Sequence, residues 1–430
     1  MKVGIDLSPL QGPHRMRGVG SVIINFLNNI PESQKQKHEF VFFMNSHKEN
    51  DKTLKLLDLS NLNYELRDKP MMKSSTIHGS FKGFRILTKL INKPSSLLRF
   101  RLGNKGYDYS DLDFYLHTDQ LEIMPRMPRV KKIMIAYDII PYLLEWDYLW
   151  SYKTARHMGF EFKDSVIAQL NRHTYIKKLK INIKKTYRVI AISKQTADDF
   201  IKFVKVPEDK VSVIHLGINP PDKSKEPEVP TKRYFSTSWG YFSKLSSFDT
   251  STPFILFIGG TDARRKLDDL VTAFNLLRAQ GHKLKLVLSG DILQGPDNLP
   301  VKTTREALLN SSYAKDIIYL GFTTEPVKAW LYEHALAFIY PSKYEGFGLP
   351  VLEAMSYGTP VICYDTGAIR EIAENMPYYS NDAKSMEQSV EKLLNMDIDA
   401  INKLHKNYIS HSKKFTWAKT SEQILKMMKN

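Results

Sequence analysis

Two carboxylates frame a glycine-rich turn in the stretch SKYEGFGLPVLEAM, Ser342 to Met355: Glu345 and Glu353, eight residues apart. The apolar run Leu336–Tyr340 predicts a strand, 341–348 a turn, and Pro350–Tyr357 a helix with proline at its first position. The N-terminus of such a helix offers unpaired N–H groups and the positive end of a dipole, so it attracts an anion that glycines allow to approach. Carboxylates aimed at that anion would repel it. Aimed past it, they accept hydrogen bonds from hydroxyl groups. A ligand with a pyrophosphate in its middle and polyols at both ends, a nucleotide-diphospho-sugar, meets both demands. The spacing alone fits equally well a solvated loop residue at 345 and a helix-start carboxylate at 353 that the dipole favours.

The elements that must position these residues follow one rhythm. Strands are predicted at Lys2–Asp6, Phe40–Met44, Lys132–Tyr137, Arg188–Ile192 and Val211–His215, with helical spacing at Val19–Ile30 and from Ser193, a good N-cap, through Lys202. The charged, proline-rich and then polar stretch from Pro220 to Thr252 breaks the alternation. It restarts with strands at Phe254–Ile258, Leu284–Leu288, Ile317–Leu320, Leu336–Tyr340 and Pro360–Tyr364, separated by helices such as Leu267–Gln280 and Pro326–His334. The expected class is α/β, with two facing, Rossmann-like, doubly wound domains and the ligand in the cleft at their C-terminal strand edges. The expected boundaries are 1–219 for the first domain, 220–252 for a linker, 253–405 for the second domain and 406–430 for a C-terminal helix.

Composition bounds the setting. A chain of 430 residues with 42% apolar residues can bury two cores. The single Cys, Cys363, excludes a disulfide framework and fits a reducing compartment. The N-terminus lacks the apolar stretch of a signal peptide and no run approaches a membrane span, so a cytoplasmic location is expected. The twelve His residues lack paired ligand spacing and one Cys cannot build a thiolate site, so no metal site is expected. His117, in FYLHTD near a strand end, reads as a satisfied structural histidine, with a place facing the cleft as the alternative.

Beyond the signature, several segments taken in order resemble retaining, family-4 (group 1) glycosyltransferases of the GT-B fold. AFIYPSKYEGFGLPVLEAMSYGTPVICYDTGAIREI is similar to their E-x7-E region. IGGTDARRKLDDLVTAFNLL resembles the glycine loop and basic pair that open their C-terminal domain. VIAISKQTADDFIKF with KVSVIHLGIN, IDLSPLQGPHRMRGVGSVIINFL and FTWAKTSEQIL resemble, in turn, the end of the N-terminal domain, its opening strand and helix, and the helix that crosses back to it. The resemblance is weak between Asn45 and Gly106.

The resemblance implies a metal-independent retaining transfer with no cofactor beyond the nucleotide-sugar donor. Glu345 would bind donor-sugar hydroxyls, helped by the N–H groups of Phe347 and Gly348. Glu353 would take the ribose, and Gly348 and Leu349 the phosphate. Arg265 and Lys266 would stabilise the leaving diphosphate, with an exposed basic loop as their alternative. Gly259 and Gly260 belong to the same loop, where many relatives carry Arg in place of Gly260, so the charge comes from Arg265 or Arg264. Phe322 and Thr323 would hold the base through backbone groups. Gly18 and Gly20, beside Arg15 and Arg17, would approach the donor phosphate or the acceptor; an ordinary strand–helix turn is their alternative. Tyr137 and Asp138 stand where relatives often have His-Asp. Tyr137 can still hydrogen-bond a sugar hydroxyl, and Asp138 would orient the acceptor or cap the next turn.

The net charge of +16 points to an anionic partner. Lys69–Tyr107 holds nine Lys/Arg without an acid, and NRHTYIKKLKINIKKTYR seven. Both stretches fit peripheral binding to an anionic membrane surface that presents a lipid-linked acceptor, or else a solvated basic face. No nucleic-acid module organises the charge, so no nucleic-acid partner is expected. The expected function is transfer of a hexose to a hydroxyl of a polysaccharide, lipid-linked or protein-linked glycan. The alternative is a non-catalytic GT-B subunit that stabilises a partner enzyme or binds a glycosylated protein.

Overall fold

The computed structural model describes residues 1–12, 15, 18–45, 50–69, 109–222, 224, 226–230, 251–290, 292–297 and 299–429. Two all-parallel sheets carry the chain. The first contains β1 (Lys2–Asp6), β2 (Glu39–Met44), β3 (Asn63–Asp68), β4 (Phe114–His117), β5 (Lys131–Ala136), β6 (Arg188–Ala191) and β7 (Val211–Val213), in the order β3-β2-β1-β4-β5-β6-β7. The second contains β8 (Phe254–Ile258), β9 (Lys285–Ser289), β10 (Ile317–Gly321), β11 (Ala337–Tyr340), β12 (Val361–Tyr364) and β13 (Tyr378–Ser380), in the order β10-β9-β8-β11-β12-β13. Central strands such as FILFI are apolar without alternation because helices cover both faces.

Each sheet reverses its winding once, between β1 and β4 and between β8 and β11. Loops leaving neighbouring strands at such a point diverge and open a crevice at the C-terminal edge. The loop after β8 contains Gly259 to Lys266, and the loop after β11 contains Glu345. Topology therefore brings together two motifs about eighty residues apart in sequence. The structure has the doubly wound GT-B architecture expected from the alternation.

Several elements differ locally from the sequence reading. β3 is an edge strand whose side chains stay largely exposed, so it lacks the apolar signal that marks its neighbours. The helix capped by Ser193 runs from Lys194 to Asp199 and continues as a π-helical turn, Phe200–Val204, which ends at Lys205 with φ +67°. The signature helix begins at Leu349, so Pro350 is its second residue. Of the expected linker, residues 231–250 lie outside the described residues; Glu228 N–H donates to the Pro326 carbonyl at 3.2 Å.

The last helix, Trp417–Met427, packs on Val19–Asn28 beside the first sheet, where Ser421 Oγ donates to the Phe26 carbonyl at 2.8 Å. The chain changes sides between Ser412 and Trp417, and the Ile218 N–H bonds the Phe415 carbonyl at 3.1 Å on the way.

One charge was misassigned by its sequence neighbours. Lys69 opens the long basic run but is buried, with its Nζ 2.7 Å from Asp6 Oδ2 and also paired with Glu122. The rest of that run, residues 70–107, lies outside the described residues. Burial opposes the Asp6 charge, but Lys69 and His117 outweigh it and hold the carboxyl below its usual range. His117 is fully buried; its Nε2 lies 2.9 Å from the Glu122 carbonyl, which favours the structural reading of this residue. Asp6→Ala takes a buried partner from Lys69 and should cost about 3–5 kcal/mol, measured as a lower urea midpoint at an unchanged slope.

Candidate active site

Glu345 lies at the mouth of the signature helix, 8% exposed, and its neighbours converge on one oxygen. Oε1 accepts from Ser342 Oγ at 2.7 Å and from the Tyr340 hydroxyl at 3.0 Å, and it pairs with Arg264. Arg265 Nη2 stands 3.8 Å away. None of these bonds uses Oε2. Burial works against the charge, yet Arg265 and Arg264 prevail and keep the carboxyl below the ordinary glutamate range. An ionised acceptor with one oxygen held in place suits it to bind a donor's hydroxyl.

The basic loop splits its charges. Ala263–Arg265 form a short 3-10 turn, and Lys266 follows with φ +44°. Arg264 donates to the Tyr344 carbonyl at 2.8 Å and to Ser342 Oγ at 3.2 Å. The Arg265 guanidinium lies 4.9 Å from the centre of the Tyr340 ring and bonds its hydroxyl. Lys266 instead turns back to its own helix, with Nζ 2.6 Å from Asp268 and 3.5 Å from Asp269. The pair that meets at Glu345 is therefore Arg264 and Arg265, and Lys266 stands apart.

The glycines divide by purpose. A side chain at Gly259 would come within 2.7 Å of Arg265 Nη1, so the bare position makes room for that guanidinium. Gly260 is less constrained, its nearest neighbour being Asp262 Oδ2 at 3.3 Å. Gly348 opens the signature helix with φ +108° and has no side chain to cap it. Pro350 has no N–H and the Val351 N–H bonds the Gly348 carbonyl at 3.0 Å, so the amides that can face a ligand at this mouth are those of Gly348 and Leu349. Leu349 begins that helix. Gly20 gives way to the Arg15 carbonyl, and Gly18 takes φ +45°, so both serve the turn itself. Arg15 is exposed; Arg17 lies outside the described residues.

Gly346 joins the halves. Its carbonyl accepts from Ser193 Oγ at 2.6 Å, and Thr196 Oγ1 stands 3.1 Å from it and from the Tyr137 carbonyl. A Cβ at Gly346 would overlap the Tyr137 carbonyl and crowd Asp138. Gln120 holds the same strand end, accepting from Tyr137 N–H at 2.8 Å and donating to the Asp138 carbonyl at 2.6 Å. The Tyr137 hydroxyl is buried and has no hydrogen-bond partner among the described residues. Asp138 Oδ1 accepts from Ile140 N–H at 3.0 Å, which makes it the cap of the next turn; burial raises its pKa.

More bonds cross the cleft. Glu371 takes the Lys194 N–H at 2.8 Å on each oxygen and meets His215 Nε2 at 2.6 Å. Tyr344 donates to Asp199 and accepts from Gln195 Nε2 at 2.9 Å. The Phe347 ring is buried 5.8 Å from His215 and 6.3 Å from Phe415, leaving only its backbone for a ligand. Glu353, half-buried, lies on the signature helix 3.8 Å from Lys328 Nζ, and burial raises its pKa against that lysine. Phe322 stands exposed just beyond β10, and Thr323 Oγ1 lies 3.0 Å from Ser289 Oγ.

Sequence reasoning missed Ser342, Tyr340, Gln120, Ser193 and Thr196 as parts of this assembly. The first two stand within the signature, and their closeness to Glu345 was the available signal. The other three act only across the fold.

With this geometry in hand, comparison is direct. Residues 242–415 match the family described as Glycosyl transferases group 1. They are a group 1 glycosyltransferase domain. The chain is 28% identical over 193 residues to O-antigen chain mannosyltransferase B of Escherichia coli, covering 43% of this chain and 45% of that protein. It is 26% identical over 243 residues to O-antigen chain mannosyltransferase RfbU of Salmonella typhimurium, covering 54% of this chain and 57% of that one. It thus spans about half the length of the curated relatives it matches. HepE of Anabaena, solved with UDP and glucose, has the same fold, with a TM-score of 0.58 at 15% identity over 100% of this chain and 99% of that one.

Two outcomes follow from the geometry of this site. Gly346→Ala must displace the signature loop or the Tyr137 strand end; thermal unfolding should show a lower Tm with the secondary structure intact by circular dichroism. Because the Glu345 pKa is lowered on folding, its charge adds stability that is complete above the ordinary carboxylate value and is lost as the pH falls through the lowered one. The stability gap between the parent and Glu345→Gln should therefore be full at neutral pH, begin to shrink near the ordinary carboxylate value of about 4, and close only below the lowered pKa of the folded state.

Proposed function

We propose that the protein is a retaining glycosyltransferase that moves a hexose from a nucleotide-diphospho-sugar to a hydroxyl of a glycan acceptor. The observation that carries this reading is the ionised Glu345, gripped by Arg264 and Arg265 beside the uncapped helix mouth at Gly348. Glu345 Oε2 and the N–H groups of Phe347 and Gly348 would take the donor sugar, Glu353 the ribose, and Gly348 and Leu349 the phosphates. Phe322 and Thr323 would border the base. The sugar C1–phosphate bond breaks as the acceptor oxygen attacks C1 from the same face, and the leaving diphosphate accepts the acceptor's proton. Charge then accumulates on that diphosphate, where Arg265 stabilises it. Lys266 joins it when a phosphate competes with Asp268 for its ammonium.

This chemistry needs no protein base, so Tyr137 is compatible with turnover. We read the reaction as metal-independent because Arg265, joined by Lys266, supplies positive charge for the leaving diphosphate. The donor is the only small molecule required, with no cofactor. Mannose is the first hexose to test, since two curated relatives are O-antigen mannosyltransferases. A surface polysaccharide or lipid-linked glycan is the acceptor class that suits those relatives. Such an acceptor places the enzyme in the cytoplasm at the inner face of the membrane. No described helix is long and apolar enough to cross a membrane, so association there would be peripheral.

Nucleotide release from a panel containing GDP-mannose and UDP-glucose tests the reading. Release from one donor, abolished by Glu345→Ala and lowered about 10²–10³-fold in kcat by Arg265→Ala, is the expected result. Calorimetry that detects no binding of any nucleotide or nucleotide-sugar would favour a non-catalytic GT-B subunit instead.

A further inference from the structure

The helix Phe162–Lys185 buries Ile176, Leu179 and Ile183 on its inner side. On its outer side Phe162, Leu170, His173, Lys177, Lys180 and Lys184 fall within an arc of about 80° at helical spacing. All six are exposed. The stripe is apolar over its first half and cationic over its second, and no acid occurs between Ser165 and Arg188.

The apolar end is broadened by its surroundings. Trp146 is 54% exposed and Met158 45%, against 68% for Phe162. The segment that carries Trp146 is held firmly to the helix. Arg172 donates to the Tyr142 and Leu149 carbonyls at 2.7 and 2.9 Å, and Gln169 accepts from Tyr152 N–H at 2.9 Å. The Trp146 ring stands edge-on to His157 at 5.4 Å, and Trp150 packs on Phe160 at 4.7 Å. These large apolar side chains are thus displayed on a braced surface. The same segment begins at the turn capped by Asp138, so it borders the acceptor side of the cleft.

We propose that this face docks on an anionic lipid bilayer, with Trp146, Met158, Phe162 and Leu170 entering the interface and Lys177, Lys180 and Lys184 meeting the headgroups. Apolar anchors beside a lysine row satisfy both layers of such a surface. A two-fold copy of the chain fits poorly, because it would present the same cationic stripe to itself. The proposal rests on and deepens the peripheral placement given above by assigning it one face; Tyr148, two residues from Trp146, interacts with Arg264 and Asp262, so this segment also touches the basic loop of the site.

The test is sedimentation of the full chain with vesicles of phosphatidylcholine alone or mixed with phosphatidylglycerol. Binding is expected only to the mixed vesicles. The combined Lys177→Glu, Lys180→Glu and Lys184→Glu variant should bind about a hundredfold more weakly. Trp146→Ser with Phe162→Ser should retain binding at low salt and lose it at high salt, since only the screened term remains. Equal binding by the parent and both variants overturns the proposal, as does a parent that ignores anionic vesicles. So does a dimer, seen by light scattering, that the lysine variant dissolves, or displacement from vesicles by RNA that leaves the apolar variant unaffected. Circular dichroism guards against misfolding. Donor turnover in solution is read separately: loss of turnover with vesicle binding intact would count against the proposed reaction and leave the docking face standing.

Discussion

The cleft depends on a backbone-to-backbone approach with no room for a side chain. At Gly346 the signature loop lies so close to the Tyr137 carbonyl that any Cβ would overlap it, while Ser193 and Thr196 bond the Gly346 carbonyl from the same side. A side-chain contact could adjust by rotation, but a backbone contact fixes the spacing of the halves. The adjacent residue, Glu345, inherits that position. The strand end at Tyr137 and Asp138 is fixed in turn by both ends of the Gln120 amide.

Electrostatics is built on this geometry. A buried carboxylate would ordinarily take up a proton. Here two arginines from the neighbouring loop prevent it, and that loop is tied to the signature by the Lys343 N–H, which bonds the Arg264 carbonyl at 2.8 Å. Strand order explains the meeting: β8 and β11 are neighbours at the winding reversal, so the arginine loop and the glutamate loop share one edge. Gly259 completes the arrangement by leaving space for the Arg265 guanidinium.

Much of the fold could be read from sequence because central parallel strands are buried on both faces and appear as unbroken apolar runs. β3 escaped because an edge strand has no such obligation. Residue types at the site were legible; their partners were less so. Three consecutive basic residues look equivalent on paper, yet a tight turn and a left-handed backbone at Lys266 send them in different directions. Lys69 looked like part of an exposed basic run, membrane-binding or solvated, because its partner Asp6 is distant in sequence. Ser193 was identified as a helix cap, which it is, but its bond to Gly346 arises only when the second half is present.

Glu371 closes the N-terminus of a helix that belongs to the other half, satisfying the Lys194 N–H with both oxygens while it meets His215. Helices are usually capped by residues next to them in sequence. Here Ser193 caps the helix locally through the Thr196 N–H, and a second cap, on the Lys194 N–H, is borrowed from well downstream, so one half completes the helix end of its partner. The halves are consequently poor cassettes. A recombinant that joins the second half of a relative to this first half inherits the cap only if the relative supplies a carboxylate at the same place on its surface. Compatibility between lineages would be set by that single acidic side chain as much as by the match of the cleft walls.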